Sequence, residues 1–376
     1  MIRFVFGNHC IKQVAALATI IVCSLPATSQ TKELTNEQYF KGNFKGITQQ
    51  LPFFKKWVSD GQFIMNFNGK DSLIDCKTGR SSQVVAAPVE AGGAKEEISV
   101  ITKGNDIYLK QNETETALTN DSAREINASL SPDNKYVAYT KNNDLYTVNV
   151  ETKKENRITT DGSETILNGY ASWVYMEEIL GRRTRYRAFW WSPDSKHIAF
   201  FRSDDGKVPV FTITDAPGLH GVVETQRYPK VGDPNPKVKV GMVAPDGNKV
   251  VWAAFNENDE QYFGMPYWKP DGSSLLVQWM NRKQDNLIIY DVNLFTGGKS
   301  EFYNEKQKTW IDLDDQGERI NFLGGGTGFI LQSDATGWNH LYFYDMKGKL
   351  VNAITSGKFT VTGLTYVDEK KGIVYF

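Results

Sequence analysis

Residues 131–147 read SPDNKYVAYTKNNDLYT and contain the two elements from which the fold can be predicted. The first is a turn, Ser131-Pro132-Asp133, followed by the alternating run Tyr136-Val137-Ala138-Tyr139. Proline at the second position of a turn, with aspartate beside it, is typical of tight turns, and the run after it is typical of a strand. The second element, Asp144-Leu145-Tyr146-Thr147, predicts the strand that follows.

Both elements recur along the chain. The Pro-Asp turn occurs at Ser131-Pro132-Asp133, Ser192-Pro193-Asp194, Ala244-Pro245-Asp246 and Lys269-Pro270-Asp271. The second element occurs at Asp106-Ile107-Tyr108-Leu109, Asp144-Leu145-Tyr146-Thr147, Asn286-Leu287-Ile288-Ile289-Tyr290-Asp291 and His340-Leu341-Tyr342-Phe343-Tyr344-Asp345. A turn-and-strand unit that repeats every few tens of residues indicates a β-propeller. We therefore predict an all-β fold, a β-propeller of four-stranded blades in which the second element supplies the third strand. A β-sandwich would also contain many short strands, but it would not repeat this order.

The composition of the 376 residues fits a large folded domain without a polyanionic partner. Hydrophobic residues make up 40% of the chain, which is ample for a large core. The net charge of -1, from 43 Lys+Arg and 44 Asp+Glu, gives no electrostatic reason to expect binding to nucleic acid or to an anionic membrane.

Residues 1–29 have the pattern of a secretory signal peptide. A basic start precedes an apolar run over 14–25, and small residues precede Gln30, the predicted first residue after cleavage. Cys23 offers the alternative of a lipoprotein site, but Val22 in front of it is bulkier than such sites prefer. We predict ordinary export, to the periplasm or the extracellular space, and no membrane span.

Three cysteines are present, and two of them, Cys10 and Cys23, lie in the predicted signal peptide. Cys76 would then be alone, so we expect no internal disulfide. A catalytic thiol is the alternative for Cys76, but nothing in the sequence around it favours that role over a cysteine at the end of a strand.

The remaining chain divides into a lead-in over residues 30–50 and a partial propeller over residues 51–376. In the lead-in, Thr35 or Asn36 is a candidate N-cap of a short helix. The last four residues, Ile373-Val374-Tyr375-Phe376, are apolar and read as the middle of a strand, whereas domains usually end in polar linkers. The expectation is that the sequence is a fragment.

The segment from Asn168 to Asp194 carries the strongest functional signal, because two adjacent carboxylates, Glu177 and Glu178, stand in aromatic and apolar surroundings. Neighbouring residues on a strand point to opposite faces, so a shared cation site requires a helical turn. We predict a short helix over Met176–Leu180, packed through Trp173, Ile179 and Leu180. The four arginines that follow could stabilise the empty site: Arg182, Arg183, Arg185 and Arg187. The simpler alternative is that the two glutamates only pair with these arginines at the surface.

Several motifs in a fixed order resemble the dipeptidyl peptidase IV family. They are Asn168-Gly169, Trp173-Val174-Tyr175, Glu177-Glu178, Trp190-Trp191-Ser192-Pro193, Tyr228-Pro229-Lys230-Val231-Gly232-Asp233-Pro234-Asn235-Pro236 and Gly337-Trp338-Asn339-His340-Leu341-Tyr342. The resemblance spans nearly all of residues 34–376. It implies a propeller of eight blades joined to an α/β-hydrolase domain with a Ser-Asp-His triad. Such enzymes release dipeptides from the N-termini of peptides and prefer proline or alanine at the second position.

The resemblance implies that Glu177 and Glu178 bind the free N-terminal amine of a peptide substrate. It also implies a homodimer, formed through contacts that include the hydrolase domain. The family's further acidic residue before the pair is Met176 here. Some members hold a substrate carbonyl with an arginine from an earlier blade, for which we find no convincing counterpart between Asp60 and Asp106. One of the arginines after Glu178 is the possible substitute.

Catalytic motifs are missing from the sequence. No Gly-x-Ser-x-Gly occurs, which is the turn that exposes the serine of α/β-hydrolases. None of the four histidines has a motif that pairs it with a serine, and no cluster has the spacing of metal ligands. The run Gly324-Gly325-Gly326-Thr327-Gly328 could be a phosphate cradle, but it precedes a strand, so a hairpin turn is the better interpretation. We expect no catalytic residue, no metal and no cofactor in this chain.

Two hypotheses follow. The first is that the chain is the N-terminal, substrate-selecting portion of an exported dipeptidyl peptidase IV-like serine exopeptidase, inactive without its hydrolase domain. The alternative is a stand-alone, non-catalytic propeller that binds peptides or partner proteins.

Overall fold

The computed structural model describes residues 34–43, 51–59, 61–67, 69–83, 98–215, 220–247, 249–313 and 319–376. The chain forms two compact units, residues 1–93 and residues 94–376. The predicted signal peptide, residues 1–29, lies outside the described residues, and only residues 34–43 of the lead-in are described. No helix in these described ranges is long and apolar enough to cross a membrane.

The first unit contains one short helix and one antiparallel sheet. Helix α1 (Asn36–Lys41) is capped by Thr35, whose hydroxyl accepts a hydrogen bond from the Gln38 backbone while the Gln38 side chain accepts one from the Thr35 backbone. This reciprocal capping box satisfies two donors at the start of the helix. The sheet has the order β1-β2-β3-β4, with strands β1 (Phe53–Ser59), β2 (Gln62–Phe67), β3 (Lys70–Asp75) and β4 (Ser81–Gln83). Cys76 is exposed just after β3.

The second unit consists of antiparallel sheets that follow one another along the chain. The first two are β5 (Ile98–Lys103), β6 (Asp106–Gln111) and β7 (Thr114–Ala117), then β8 (Glu125–Leu130), β9 (Tyr136–Lys141), β10 (Asp144–Asn149) and β11 (Glu155–Arg157). The third is β12 (Ile166–Asn168), β13 (Phe189–Trp191), β14 (Ile198–Asp204), β17 (Lys237–Val243) and β18 (Val251–Trp252), with a separate hairpin of β15 (Val210–Asp215) and β16 (Val222–Arg227).

Two further sheets and a hairpin complete the described residues. The fourth sheet is β19 (Gln261–Phe263), β20 (Tyr267–Trp268), β21 (Leu275–Asn281), β22 (Asn286–Val292) and β23 (Lys299–Lys306). The fifth is β24 (Ile320–Phe322), β25 (Gly328–Ser333), β26 (His340–Asp345) and β27 (Leu350–Ala353), and the hairpin is β28 (Tyr366–Asp368) with β29 (Ile373–Tyr375).

The two sheets with five strands are four-stranded blades whose first strand is interrupted. Strand β12 pairs with one end of β14, through Asn168 opposite Arg202, and β13 pairs with the other end, through Phe189 opposite Phe200. Strands β19 and β20 likewise pair with opposite ends of β21. The predictions of an all-β fold and of four-stranded blades are therefore confirmed.

The four predicted Pro-Asp turns are all present. In each, the backbone N–H three residues after the first turn residue donates to that residue's carbonyl, at 2.8–3.1 Å. Three of them join the first and second strands of a blade. The turn at Ala244 instead joins the third and fourth strands of its blade, β17 and β18. The same turn chemistry thus serves two different connections, because tight turns depend on local sequence alone.

Tryptophan side chains connect neighbouring blades of the second unit. The indole N–H of Trp191 donates to the carbonyl of Ser129 in the preceding sheet, at 3.0 Å. The indole N–H of Trp268 donates to the carbonyl of Trp190, at 3.2 Å. Each ring contributes apolar area to the contact between blades while its one polar atom finds an acceptor.

The glycine-rich run after β24 forms a hairpin turn, as interpreted from the sequence. The Leu323 backbone N–H donates to the Gly328 carbonyl, which closes the hairpin of β24 and β25. The N–H groups of Gly324 and Gly325 donate to the two carboxylate oxygens of Glu369, at 2.6 and 3.0 Å. The acceptor for these two N–H groups is therefore a side chain of this chain.

A buried lysine organises the acidic groups at one end of the second sheet. Oxygens of Asp121, Glu125 and Glu155 all lie within 4.8 Å of one another. The ammonium of Lys141, whose side chain is only 7% exposed, lies 2.7 Å from Asp121, 2.7 Å from Glu155 and 3.4 Å from Glu125. Burial raises the pKa of the Glu125 carboxyl, and its contacts with Thr119 and Lys141 act in the opposite direction. Lys141 thus reduces the repulsion among these three carboxylates and provides a cationic partner for the buried Glu125.

Replacing Lys141 by methionine should destabilise the protein strongly, because it keeps the length of the side chain but leaves the buried carboxylate of Glu125 without its cation. We expect a loss of about 3–5 kcal/mol in the free energy of unfolding, measured as a lower urea midpoint. Lys103→Met is the matched control, since Lys103 pairs with Glu115 at the surface with 53% of its side chain exposed. That variant should lose less than about 1 kcal/mol. Equal midpoints for the two variants would contradict this account.

Candidate functional site

The segment that carries the two glutamates is an insertion between β12 and β13, and its start is fixed by two residues. Asn168 is fully buried, and its side-chain amide donates to Asp144 at 3.2 Å and to Asp161 at 2.9 Å. Gly169 has a left-handed backbone with φ of +67°. A Cβ atom at Gly169 would lie 3.1 Å from the Leu145 side chain and 3.3 Å from that of Phe189. Glycine is therefore required here for both conformation and space.

The two ends of the insertion are joined to each other and to β14. The Gly169 backbone N–H donates to the carbonyl of Phe201, and the Phe201 N–H donates to the carbonyl of Ala188, both at 2.9 Å. Ala188 in turn donates to the Gly169 carbonyl at 2.9 Å. The rings of Tyr170 and Tyr186 stack above this base, with centroids 5.0 Å apart and planes 6° from parallel. The insertion is thus a closed loop on a rigid base.

Within the insertion, Tyr175–Ile179 form a single π-helical turn. The Leu180 backbone N–H donates to the Tyr175 carbonyl at 2.7 Å, which is the i to i+5 bond of that geometry. The turn begins one residue earlier than the helix predicted over Met176–Leu180. Single π turns are rare and frequently lie at functional sites.

The turn is held by apolar side chains on its inner side. Tyr175, Met176, Ile179 and Leu180 are all buried in the largest apolar cluster of the second unit. The Tyr175 hydroxyl also accepts a hydrogen bond from the Phe263 backbone at 3.3 Å, in the fourth sheet. Of the three predicted anchors, Ile179 and Leu180 are buried, while Trp173 is only half-buried and packs against the cluster. Tyr175 and Met176 are anchors that the sequence analysis did not assign.

The two glutamates of the turn have different surroundings. Glu177 is half-buried, with 17% of its side chain exposed, and it forms an ion pair with Arg182. Glu178 is exposed and lines a cavity of about 660 Å³. The cavity is also lined by Val174, Ile179, Tyr262, Met280, Gln284, Trp310, Ile311, Asp312 and Leu313. An ammonium group in this cavity would therefore meet the carboxylates of Glu178 and Asp312 among mostly apolar side chains.

The residues after the turn return to the base through unusual backbone conformations. Arg182, Arg185 and Tyr186 have φ values of 60°, 48° and 73°. Left-handed backbone is uncommon for residues with large side chains, and clusters of it occur at functional sites. Arg187 is half-buried beside the ring of Phe189, and burial lowers the pKa of its guanidinium. Of the predicted arginines, Arg182 contacts the glutamate pair directly.

A second cavity, of about 320 Å³, adjoins the same insertion through Trp173 and Tyr186. It contains Asp205, whose side chain is almost fully buried. Burial raises the pKa of the Asp205 carboxyl to about 6, against the opposite effects of Ser172 and Arg227. The sequence analysis missed Asp205, because an Asp-Asp pair at the end of a strand has no motif of its own.

Gly169→Ala should destabilise the protein by more than its unfavourable φ alone. Gly104→Ala is the matched control, since Gly104 has φ of +63° but no atom within 4 Å of an added Cβ. The control should cost roughly 1 kcal/mol for the strained backbone, and Gly169→Ala should cost at least about 1 kcal/mol more for overpacking. Urea unfolding of both variants measures the difference. Equal costs would show that the space at Gly169 is not restricted.

Asp205→Asn should stabilise the protein at high pH and not at low pH. An unfolded aspartate has a pKa near 3.9, whereas that of Asp205 in the folded chain is about 6. The folded state therefore binds the proton more tightly, and stability is lost as the pH rises from about 4 through about 6. The difference between the two pKa values corresponds to up to about 3 kcal/mol at pH 8.

The gain for Asp205→Asn over the native chain should shrink as the pH falls to 4, which urea unfolding at a series of pH values would reveal. Asp204→Asn is the control, because the Asp204 carboxylate already accepts a hydrogen bond from the Gly206 backbone at 2.9 Å. A pH-independent difference between the native chain and Asp205→Asn would contradict the assignment.

Comparison with known proteins identifies similar sequences over most of the chain. The family model described as the dipeptidyl peptidase IV (DPP IV) N-terminal region matches residues 97–376. Dipeptidyl peptidase 4 of Trichophyton rubrum is 35% identical over 275 residues, which are 69% of this chain and 34% of that protein. A probable dipeptidyl peptidase 4 of Aspergillus clavatus is 31% identical over 263 residues, 66% of this chain and 33% of that protein. The chain spans about a third of the length of these relatives.

Solved structures with the same fold agree with these matches. The crystal structure of Porphyromonas gingivalis dipeptidyl peptidase 4 superposes with a TM-score of 0.69 at 21% identity, covering 91% of this chain and 52% of that one. A putative dipeptidyl aminopeptidase IV from Bacteroides ovatus gives a TM-score of 0.58 at 21% identity, covering 84% and 49%. At this level of identity the likeness concerns the fold alone.

Proposed function

Because the chain belongs to the dipeptidyl peptidase IV N-terminal region family, we propose that it is the substrate-selecting portion of an exported dipeptidyl peptidase IV-like serine exopeptidase. In this proposal it binds the free N-terminal amine of a peptide through Glu177 and Glu178. The observation that carries it is the π-helical turn, which holds two adjacent carboxylates on a buried apolar support next to a cavity of about 660 Å³.

The electrostatics of the turn suit a cationic ligand. Glu178 contributes its charge at the wall of the cavity, where an ammonium group loses part of its water and gains a charge-assisted hydrogen bond. Glu177 is paired with Arg182, whose side chain is 75% exposed. An ion pair with so exposed an arginine contributes about 1 kcal/mol, so a peptide amine can displace Arg182 from Glu177, or share the Glu177 carboxylate with it, at little cost.

The support beneath the pair determines how well it can act as a ruler. Buried side chains of Tyr175 and Ile179 fix the turn, and the base at Gly169 fixes the insertion. If the amine is held at a fixed point, the second peptide bond of the substrate lies at a fixed distance from it. The intact enzyme would therefore release dipeptides. The proposal also includes a preference for proline or alanine at the second position, as in the family.

The remaining features of the proposal concern the whole protein. The propeller would have eight blades, and an α/β-hydrolase domain with the Ser-Asp-His triad would supply catalysis. The intact enzyme would be exported to the periplasm or the extracellular space and would form a homodimer. The present chain would bind a peptide N-terminus without a cofactor or metal and would not hydrolyse it.

Binding of a short peptide tests the central claim. The tripeptide amide Ala-Pro-Ala-NH2 should bind the full chain in isothermal titration calorimetry, and its N-acetylated form should not. Glu177→Gln and Glu178→Gln should each weaken binding by about ten- to a hundredfold, since a charge-assisted hydrogen bond contributes roughly 1.5–3 kcal/mol. Glu151→Gln, at an exposed turn after β10, should leave the affinity unchanged.

The same titration separates the proposal from its alternative, a stand-alone propeller that binds peptides or proteins without selecting their N-termini. If the acetylated and free peptides bind equally well, and neither glutamate variant weakens binding, the N-terminal ruler is wrong and the alternative is favoured.

A further inference from the structure

The second cavity beside the insertion has features of a binding site that are independent of the glutamate pair. It measures about 320 Å³, within the range of pockets that hold small ligands. Its lining combines three aromatic side chains of the insertion, Tyr170, Trp173 and Tyr186, with the carboxyl groups of Glu164 and Asp205 and the guanidinium of Arg227.

Asp205 is a buried carboxylate of this cavity that the fold does not fully satisfy. Only 3% of the residue is exposed, and its Oδ1 atom has no hydrogen-bond partner among the described residues. The buried hydroxyl of Ser172 lies close enough to lower the pKa of the Asp205 carboxyl, although no hydrogen bond of normal geometry joins the two groups. A buried carboxylate oxygen without a partner is costly. Such a group is expected to have a ligand.

Arg227, which also lines the cavity, does not supply the missing partner of Asp205. Its guanidinium donates to the backbone carbonyls of Val208, at 3.0 Å, and of Asp205, at 3.4 Å. Its remaining close contact is the ion pair with Glu164, at 3.4 Å. Arg227 is therefore engaged by the backbone and by Glu164, so the carboxylate of Asp205 is the uncompensated charge of the cavity.

The aromatic walls determine which ligand suits this charge. The rings of Tyr170 and Tyr186 are stacked, and the indole of Trp173 lies 4.5 Å, between ring centroids, from the ring of Tyr228. Aromatic faces attract organic cations, and a buried carboxylate binds them by charge-assisted hydrogen bonds. A bare metal ion would need several oxygen ligands, whereas this cavity offers one unpartnered carboxylate and three apolar rings.

We infer that this cavity binds an organic cation, the guanidinium or ammonium group of an arginine or lysine side chain, with Asp205 as its counter-ion. That the cation is part of a peptide rests on the proposed function. The site would then recognise a basic side chain of the peptide, separately from its N-terminal amine.

The test uses ligands without a free N-terminal amine, so that its result does not depend on Glu177 and Glu178. Nα-acetyl-arginine methylamide should bind the full chain in isothermal titration calorimetry at least tenfold more tightly than the neutral analogue Nα-acetyl-citrulline methylamide. Asp205→Asn should remove this preference. Asp204→Asn, which changes the adjacent carboxylate in contact with Gly206, should retain it.

A second variant guards against an indirect effect of Asp205 on folding. Thr225 is exposed at the wall of the cavity, so Thr225→Arg places a competing cation there and should also weaken binding at least tenfold. Equal affinities for the arginine and citrulline ligands, or full binding by Asp205→Asn, would overturn the inference. Tighter binding of putrescine than of the arginine ligand would identify a free diamine and overturn the assignment to a peptide side chain.

Discussion

The candidate site depends on the pairing of one central strand with two half-strands. Strand β14 pairs with β12 at one end and with β13 at the other, and the twenty residues between the half-strands, 169–188, leave the sheet and return to it. Because Phe201 bonds to Gly169 on one side and to Ala188 on the other, the ladder continues past the exit point. Such a base restricts the backbone motion of the insertion. The binding residues on it are therefore held at fixed positions, as a binding site requires.

The same architecture separates structural from functional buried charge. In the second sheet, the buried carboxylate of Glu125 has both Thr119 and Lys141 as partners within the chain. At the end of β14, Asp205 is equally buried but retains an oxygen without a partner. Unsatisfied buried groups in native proteins tend to mark function.

Local features were predictable from the sequence, and long-range ones were not. The Pro-Asp turns, the strands that follow them and the Thr35 cap depend on neighbouring residues, so their sequences predicted them correctly. The place of the Ala244 turn within its blade was not predictable, because the turn sequence is the same whichever two strands it joins. The π-helical turn Tyr175–Ile179 begins one residue before the predicted helix, because the local sequence does not distinguish an i to i+5 hydrogen bond from the i to i+4 bond of an α-helix.

The glutamate pair illustrates where sequence reasoning ends. Its two residues were found because they are adjacent and polar in an apolar segment, but the cavity beside Glu178 is lined by residues more than 80 positions away, such as Tyr262 and Trp310. Asp205 and Arg227 likewise meet the insertion only through the fold. Both cavities share the insertion as a wall, with Val174 facing one and Trp173 the other. Ligands in the two cavities would therefore contact neighbouring residues of the same insertion. If one ligand shifted the insertion, the affinity for the other ligand would change.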